Sequence, residues 1–190
     1  GVAMGQRGTQ VAAEASDIIL RDDDFRSIVA AIHQGRVIYD NIRTFVRYLF
    51  SCNLGEILLV ASALLAGLPM PLLPLQILFL NLVTDMFPAL ALGVSEGARN
   101  VMHRPPRPAH EPLLGARGWI GIALDAAGMA GATMAVFLFA LHDPEAAGVA
   151  PTTAAFLTLA LAQLWHVFLM HDGDEGRLRN QVTRNPFVWG

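Results

Sequence analysis

Apolar residues dominate four stretches of the chain, at about residues 48–68, 75–92, 119–141 and 152–170. Each stretch is close to the ~20 residues that an α-helix needs to cross the hydrocarbon core of a bilayer. No proline occurs before Pro69, so the first stretch is predicted to continue a helix that begins earlier in the chain. The pattern predicts a mainly α protein, built as a polytopic helical membrane bundle of four spans.

The segment before the first span, residues 25–47, is predicted to be a stalk helix. Its larger apolar residues recur at alternating steps of four and three, which places them on one face of a helix. We expect this face to be packed and the charged residues between its members to lie off it. The stripe consists of Ile28, Ile32, Gly35, Tyr39, Ile42, Val46 and Leu49, and the charged residues are Arg36, Asp40, Arg43 and Arg47.

Residues 1–24 have the pattern of a small α/β unit. A strand is predicted to follow Gly1, Thr9 is placed to cap a short helix, and the apolar run that ends at Leu20 is predicted to be a second strand. The glycines match neither the dinucleotide-binding nor the P-loop fingerprint, so they indicate no nucleotide site. The sequence therefore divides into residues 1–24, 25–47 and 48–190.

The second span carries Asn81, Thr84 and Asp85, which the spacing i, i+3 and i+4 places on one helix face. An aspartate near the centre of a membrane helix costs roughly 2.5–3.5 kcal/mol on insertion scales, so a partner or an ion is expected. Pro88 has no N–H, and the carbonyl of Thr84 is left able to face a ligand. The alternative is a kinked helix whose polar groups only bond neighbouring helices.

The first span carries its own polar pair, Asn53 and Glu56, and the short connection to the second span predicts antiparallel neighbours. Two carboxylates, Glu56 and Asp85, at membrane depth without a basic residue in their spans require a cation or shared protons. Their oxygen ligands suit a hard cation. In the fourth span, Gln163 and His166 either complete this site or bond an adjacent helix. Asp125 in the third span is expected to reach the membrane interface.

Composition and charge fit this interpretation. Hydrophobic residues make up 54% of the 190 residues, the net charge is −3, and acids are interspersed with the basic residues, so no nucleic-acid partner is indicated. Cys52 is the single cysteine, which excludes a disulfide within the chain. The chain begins with Gly1 and shows no signal-peptide pattern, and we expect it to be truncated at both ends.

Arginines occur on three segments and are missing from the loops at residues 67–74 and 142–151. Because positive charge is retained on the cytoplasmic side, both chain ends and the loop 99–117 are predicted to be cytoplasmic. The arginines nearest the spans are Arg36, Arg43 and Arg47 before the first span, Arg99, Arg104, Arg107 and Arg117 between the second and third, and Arg177, Arg179 and Arg184 after the fourth.

Several segments together resemble the P-type ATPases, most closely the sarcoplasmic-reticulum-type calcium pumps and their bacterial relatives. The resemblance covers residues 1–119 without an obvious gap and is looser beyond. The segments that carry it are GVAMG at 1–5, DDDF at 22–25, GRVIYDN at 35–41, YLFSCNLGE at 48–56, NLVTD at 81–85 and RPPR at 104–107.

The resemblance implies that residues 1–24 end the phosphorylation domain and that the four spans are the fifth to eighth of ten membrane helices. It also implies a set of cation ligands. The matching residues are Asn53 and Glu56 in the fifth helix and Asn81, Thr84 and Asp85 in the sixth. The phosphorylated aspartate and the sites for ATP and Mg²⁺ belong to upstream parts of the family, so this chain alone is not expected to hydrolyse ATP.

Two positions depart from those pumps. Met86 replaces a glycine, and Gln163 replaces a glutamate of the eighth helix, which places a two-ion calcium stoichiometry in doubt because one negative charge is lost. Gln163 is nevertheless included as a candidate ligand at the margin of the site.

The function indicated is the transport portion of an ATP-driven pump, for Ca²⁺ or for another hard cation such as Mn²⁺, Na⁺ or H⁺. The alternative from a different class is a non-catalytic membrane protein that uses its spans for assembly. We expect the lipid bilayer and the N-terminal part of the same chain as partners, no obligate protein partner, and a bacterial plasma membrane as the location.

The distribution of arginines makes the topology testable. An epitope tag in the loop 142–151 should be reached by antibody from outside intact cells, whereas the same tag in the loop 99–117 should be reached only after permeabilisation. Detection of both tags on the same side of the membrane would refute the model of four spans.

Overall fold

The computed structural model describes residues 1–95, 100–108 and 110–170. Residues 96–99, 109 and 171–190, which include Arg99 and the arginines after the fourth span, lie outside the described part. Near the N-terminus, strand β1 (Val2–Met4), helix α1 (Gln10–Glu14) and strand β2 (Ile18–Leu20) form the predicted α/β unit. The strands are parallel and pair Val2 with Ile18, and the Thr9 hydroxyl accepts from the amide of Ala12. This part of the prediction is confirmed.

Helix α2 runs without interruption through 40 residues, Arg26–Leu65. At 1.5 Å per residue it is about 60 Å long, roughly twice the hydrocarbon thickness of a bilayer. The Asp24 carboxylate accepts from the Arg26 amide just before it, and the Arg26 guanidinium holds the pKa of Asp24 below its usual value. At the other end, Gly67 adopts a φ of 66°, which favours glycine and turns the chain toward the second span. The predicted long helix is confirmed.

The prediction of which face of the stalk is packed is wrong. Ile32, Gly35 and Ile42 of the expected stripe are exposed, whereas Val37 and Asn41 are buried. The Asn41 amide donates to the carbonyl oxygens of Gly93 (3.2 Å) and Ser95 (2.7 Å), at the end of the second span. Asn41 therefore lies on the packed face of the stalk helix, because the carbonyl groups at the end of the second span lack partners within their own helix and need hydrogen-bond donors.

The second span consists of three pieces: helix α3 (Pro74–Phe79), a π-helical turn (Leu80–Thr84) and helix α4 (Met86–Gly93). The Asp85 amide donates to the carbonyl of Leu80, five residues earlier, at 2.9 Å. The sequence predicts an interruption of the hydrogen-bond ladder by Pro88, and the structure places a wider turn just before that proline. Since Pro88 has no N–H for the carbonyl of Thr84, the regular ladder of hydrogen bonds is already interrupted there.

The third and fourth spans are helices α5 (Ala116–His142) and α7 (Pro151–His166), joined through the short helix α6 (Pro144–Ala147). Single 3₁₀ turns occupy Val101–His103 and Val167–Leu169. Helix α5 packs between α2 and α7, and a methyl group added at Gly55 would approach the carbonyl oxygen of Ala126 to 3.5 Å. Small residues thus let α2 and α5 lie close together.

Four helical segments in the described part of the chain are long and apolar enough to cross a membrane. They are Arg26–Leu65, Pro74–Gly93, Ala116–His142 and Pro151–Leu169, in agreement with the four predicted spans. Their many exposed leucines, such as Leu82 and Leu124, fit contact with lipid. The protein is an integral membrane protein with a mainly helical fold.

The continuity of α2 is testable as a distance. Spin labels on cysteines replacing the exposed Val29 and Ile57, in a Cys52→Ala background, should lie about 42 Å apart with a narrow distribution, because the 28 intervening steps rise 1.5 Å each. Ile38→Pro should shorten and broaden this distribution, since an interior proline removes a hydrogen bond and kinks the helix.

Ile38→Ala is the control, because Ile38 is half exposed and its truncation leaves the backbone intact. Double electron–electron resonance on the labelled protein in the membrane gives the distances. A broad distribution in the labelled protein that retains Ile38, or an unchanged narrow distribution in the Ile38→Pro variant, would contradict a rigid rod.

Candidate functional site

A polar layer crosses the bundle between two apolar clusters. One cluster contains Leu59, Leu72, Leu80, Met129, Ala130, Phe137, Ala155 and Leu159. The other contains Tyr48, Cys52, Ala89, Leu92, Val167 and Met170. Along α2, the second span and α7, the residues between these clusters include Glu56, Asp85 and Gln163, and all three are buried. Apolar packing on both sides therefore shields the polar layer from water.

Glu56 is the centre of the hydrogen bonds in this layer. Its Oε2 accepts from the Asn81 amide at 2.9 Å, and its Oε1 accepts from the Gln163 amide at 3.0 Å. The Asn81 amide also donates to the carbonyl of Ile77 at 2.9 Å. One carboxylate of α2 thus joins the second span and α7. Gln163, predicted to lie at the margin of the site, contacts Glu56 directly through its side-chain amide.

Asp85 lies at the end of the π-helical turn and is 1% exposed. Neither of its carboxylate oxygens has a hydrogen-bond partner in the part of the chain that the structure describes. Glu56 is close enough for the two acidic groups to influence each other electrostatically, and so is the Cys52 thiol. A buried carboxylate without donors requires compensation by a proton or a cation, because an isolated charge is strongly disfavoured away from water.

The remaining predicted residues are placed differently. Thr84 is buried beside Asp85 in the same turn. Asn53 precedes Glu56 by one helical turn, but its amide donates to the carbonyl of Leu49 at 2.9 Å. Within the described residues, no hydrogen bond joins Asn53 to Glu56, Asn81 or Gln163. Because its side-chain nitrogen is used by Leu49, only its side-chain oxygen can contact a cation.

A second polar group lies toward the Arg-rich end of the bundle. Arg47 donates to Asp125 Oδ2 at 3.0 Å, and His166 Nε2 is 3.8 Å from the same oxygen. The His166 ring stacks on Tyr48, whose hydroxyl donates to the backbone carbonyl of Gln163 at 3.4 Å. Asp125 therefore bridges two helices rather than only reaching the interface, and His166 contacts this group rather than completing the Glu56 cluster.

Sequence patterns gave no indication of the pairing between Arg47 and Asp125, because the two residues are 78 positions apart. Ser51 and Thr133 were missed as well, and their buried hydroxyl oxygens have no hydrogen-bond partner among the described residues. The only signal available was their polarity within apolar helices, and hydroxyl groups in membrane helices commonly bond their own backbone.

The polar layer contains oxygen acceptors without hydrogen-bond partners. Among the described residues, no partner is found for the two buried oxygens of Asp85 or for the Oε1 of Gln163, while the amide groups of Asn81 and Gln163 orient Glu56. In the described part of the chain, no group of three or more His, Cys, Asp or Glu side chains gathers. The donor set is carboxylate and amide oxygen, which hard cations prefer.

Comparison with known proteins gives a family. Residues 69–190 match the family described as "Cation transporting ATPase, C-terminus". The chain is 46% identical to "Calcium-transporting ATPase" of Bacillus subtilis over 98% of its length and 20% of the relative's. It is 40% identical to "Calcium-transporting ATPase 1" of Lactococcus lactis over 99% of its length and 21% of the relative's.

A plant relative, "Calcium-transporting ATPase 4, endoplasmic reticulum-type" of Arabidopsis thaliana, is 47% identical over 63% of this chain and 11% of the relative. The chain spans about a fifth of the length of the two bacterial relatives. These matches confirm the resemblance seen in the sequence. The chain belongs to the P-type cation-transporting ATPases and corresponds to the C-terminal membrane region of that family.

Proposed function

We propose that this chain is the transport region of an ATP-driven pump that moves Ca²⁺ across a membrane. The observation that carries the proposal is the Asp85 carboxylate, which is buried at membrane depth beside the Glu56 cluster and whose two oxygens have no hydrogen-bond partner among the described residues. A cation held by Asp85 and Glu56 would neutralise both acidic groups at once, where a lone buried charge is costly.

The donor set and the relatives support Ca²⁺ as the cargo. Calcium takes six to eight oxygen ligands from carboxylates, amides, carbonyls and waters in flexible geometry. The candidate ligands are Asn53, Glu56, Asn81, Thr84, Asp85 and Gln163. The curated relatives carry the name calcium-transporting ATPase. Mn²⁺, Na⁺ and H⁺ remain competing cargoes for the same oxygens, and the measurements below separate them.

The charge of the cluster favours one divalent ion. Glu56 and Asp85 together carry two negative charges, and Gln163 contributes a neutral amide. Its Nε2 donates to Glu56, which leaves Oε1 for a cation. Two carboxylates balance a single Ca²⁺, whereas a second divalent ion would add uncompensated positive charge in a low-dielectric layer.

The rest of the pump cycle is assigned to parts of the protein outside this chain. We infer that residues 1–24 end the phosphorylation domain, that residues 25–47 form the stalk and that residues 48–190 form the transport domain. ATP and Mg²⁺ would bind upstream. Because Glu56 lies on the same uninterrupted helix as the stalk, a movement of the stalk would move a cation ligand directly.

The topology and the location proposed for the pump rest on the distribution of arginines and on the bacterial relatives. The arginines predict that both ends of the chain are cytoplasmic, and the two bacterial relatives support a bacterial plasma membrane. The bilayer and the N-terminal part of the same polypeptide are the proposed partners. We propose neither a nucleic acid nor an obligate protein as a further partner.

Asp85→Asn in the complete pump should reduce the apparent affinity for Ca²⁺ by roughly two orders of magnitude or more. The change keeps the shape of the side chain and removes one of two charges, and breaking a buried charge pair costs about 3–5 kcal/mol. Gln163→Ala should cost less, about tenfold, because the hydrogen bond that it removes from the Glu56 carboxylate is worth about 1.5 kcal/mol, the lower end for a bond to a charged group. Cation-activated phosphorylation by ATP, measured across Ca²⁺, Mn²⁺, Mg²⁺, Na⁺ and pH, gives both values.

Asp125→Asn is the matched control, since it makes the same chemical change at a membrane aspartate outside the cluster. It should leave the cation dependence of phosphorylation unchanged. Wild-type activation of the Asp85→Asn pump by every cation would show that the proposed site is wrong.

Gln163→Glu should increase the number of Ca²⁺ ions bound per phosphorylation site or tighten Ca²⁺ binding. The new carboxylate would lie within hydrogen-bond distance of Glu56, and two like charges there are tolerable only with an added cation or proton. Equilibrium binding of radioactive Ca²⁺ measures both quantities. An unchanged ion count together with weaker binding would contradict the account of charge balance.

A further inference from the structure

A cavity of about 610 Å³ lies away from the cation cluster, between the stalk part of α2 and the segment that follows α4. The stalk residues in its wall include Arg36, Tyr39 and Arg43, which share one helix face at steps of three and four. Arg104 and Arg107 line the opposite wall, in a segment stiffened by prolines at 105, 106 and 108. Four guanidinium groups therefore surround one opening.

The walls of the cavity are joined by specific contacts. Arg36 donates through one nitrogen to the carbonyl oxygens of Val101 (2.8 Å) and Arg104 (2.7 Å). Arg104 pairs with Asp40 at 3.1 Å, and the Arg107 guanidinium lies 3.7 Å from the centre of the Tyr39 ring. The cavity is thus a built feature of the fold, not a gap between mobile side chains.

Positive charge in the cavity exceeds negative charge. Its two carboxylates, Asp40 and Glu111, lie 3.1 Å from Arg104 and 4.0 Å from Arg107. For Arg36 and Arg43, no carboxylate of the described residues lies within ion-pair distance, and Arg43 makes no hydrogen bond there either. Among the described residues, two guanidinium charges thus have no carboxylate partner, which favours an anionic ligand of about two negative charges.

The chemistry of guanidinium groups points to phosphate. Their planar N–H forks match phosphate oxygens, and Arg36 uses one terminal nitrogen for the two carbonyls, so its other N–H groups stay available. A guanidinium stacked on an aromatic ring, as Arg107 is on Tyr39, keeps its in-plane N–H groups free for a further acceptor.

The edge of the cavity nearest the membrane points to lipid as the source. Arg43, at this edge, precedes Tyr48, where the first apolar stretch begins, by five residues, or about 7.5 Å of helix, whereas Arg36 lies about 10.5 Å farther out. The edge at Arg43 is at the level of the headgroups, and Trp119 and Phe50, with ring centres 5.4 Å apart, mark the same end of the bundle. Basic pockets at this depth bind the headgroups of anionic lipids.

We propose that this cavity binds a phosphate group, presented by the headgroup of an anionic phospholipid such as phosphatidic acid. The bound phosphate contacts Arg43 on the stalk and the arginines of the opposite wall. It therefore adds a link between α2 and the segment after α4, alongside the contacts of Arg36 and Asn41. Free phosphate has the same chemistry and is the competing source.

Binding of radiolabelled phosphatidic acid to the purified full-length protein in detergent tests this site, with neither ATP nor Ca²⁺ present, so the result is independent of the cation cluster. Arg43→Gln should weaken binding about fivefold, the contribution of one arginine near an anionic surface. Gly35→Leu should weaken it as well without changing the charge, because a larger side chain fills the cavity. Gly35 lies in the cavity wall, and a methyl group added there meets no other described atom within 4 Å.

Arg117→Gln is the matched control, since Arg117 lies at the same end of the bundle, near the start of α5, but outside the cavity wall. It should leave binding unchanged. Phosphatidylcholine should not compete, and competition by inorganic phosphate or glycerol phosphate at equal concentration would identify the free anion as the ligand of the same site.

Three results would overturn the proposal. Equal binding by Arg43→Gln, Gly35→Leu and the unmodified protein would exclude the cavity. Equal weakening by Arg117→Gln would show a general attraction of charged surfaces. No saturable binding of phosphatidic acid or phosphate to the unmodified protein would show that the cavity is not a phosphate site.

Discussion

The membrane part of this protein depends on how two buried carboxylates are compensated. An ionised carboxylate in a low-dielectric layer is stable only when donors or a cation replace water. Glu56 has two amide donors, from Asn81 and Gln163, which belong to different helices. Asp85 has no donor among the described residues. The packing of the bundle around this layer therefore holds a site in which one carboxylate is organised and the other still requires a partner.

The two segments that supply the carboxylates differ in the continuity of their backbones. Helix α2 is continuous from the stalk to Glu56, so displacement at one end is transmitted along a rigid element. The second span is broken at Leu80–Thr84, where a π-helical turn precedes Pro88. An irregular backbone at membrane depth is tolerated where it lines a polar site within the protein. The two carboxylates are thus held by a continuous helix on one side and by an irregular turn on the other.

Contacts outside the membrane layer attach the second span to the stalk. Asn41 donates to the carbonyls at the end of α4, and Arg36 donates to the carbonyls of Val101 and Arg104. These bonds join the broken span to the same helix that carries Glu56, while Arg47 and Asp125 attach α5 to it. The stalk helix is thus bonded to the second span and to α5, and the arginine-lined cavity lies where the first of these attachments is made.

The sequence by itself determined the number and length of the spans, the continuous stalk helix and the acidic positions, because hydropathy and helical spacing are local properties. Its motifs also identified the family. Only the tertiary structure decided that Gln163 contacts Glu56 across 107 positions, that Asp125 pairs with Arg47 and His166, and that Asn41 rather than the Ile32 stripe is packed. Periodicity shows which residues share a face of one helix, but the rotation of each helix against its neighbours is set by long-range contacts between them. The π-helical turn depends on both, since Pro88 interrupts the hydrogen-bond ladder locally while the buried partners of the polar face fix where the chain widens.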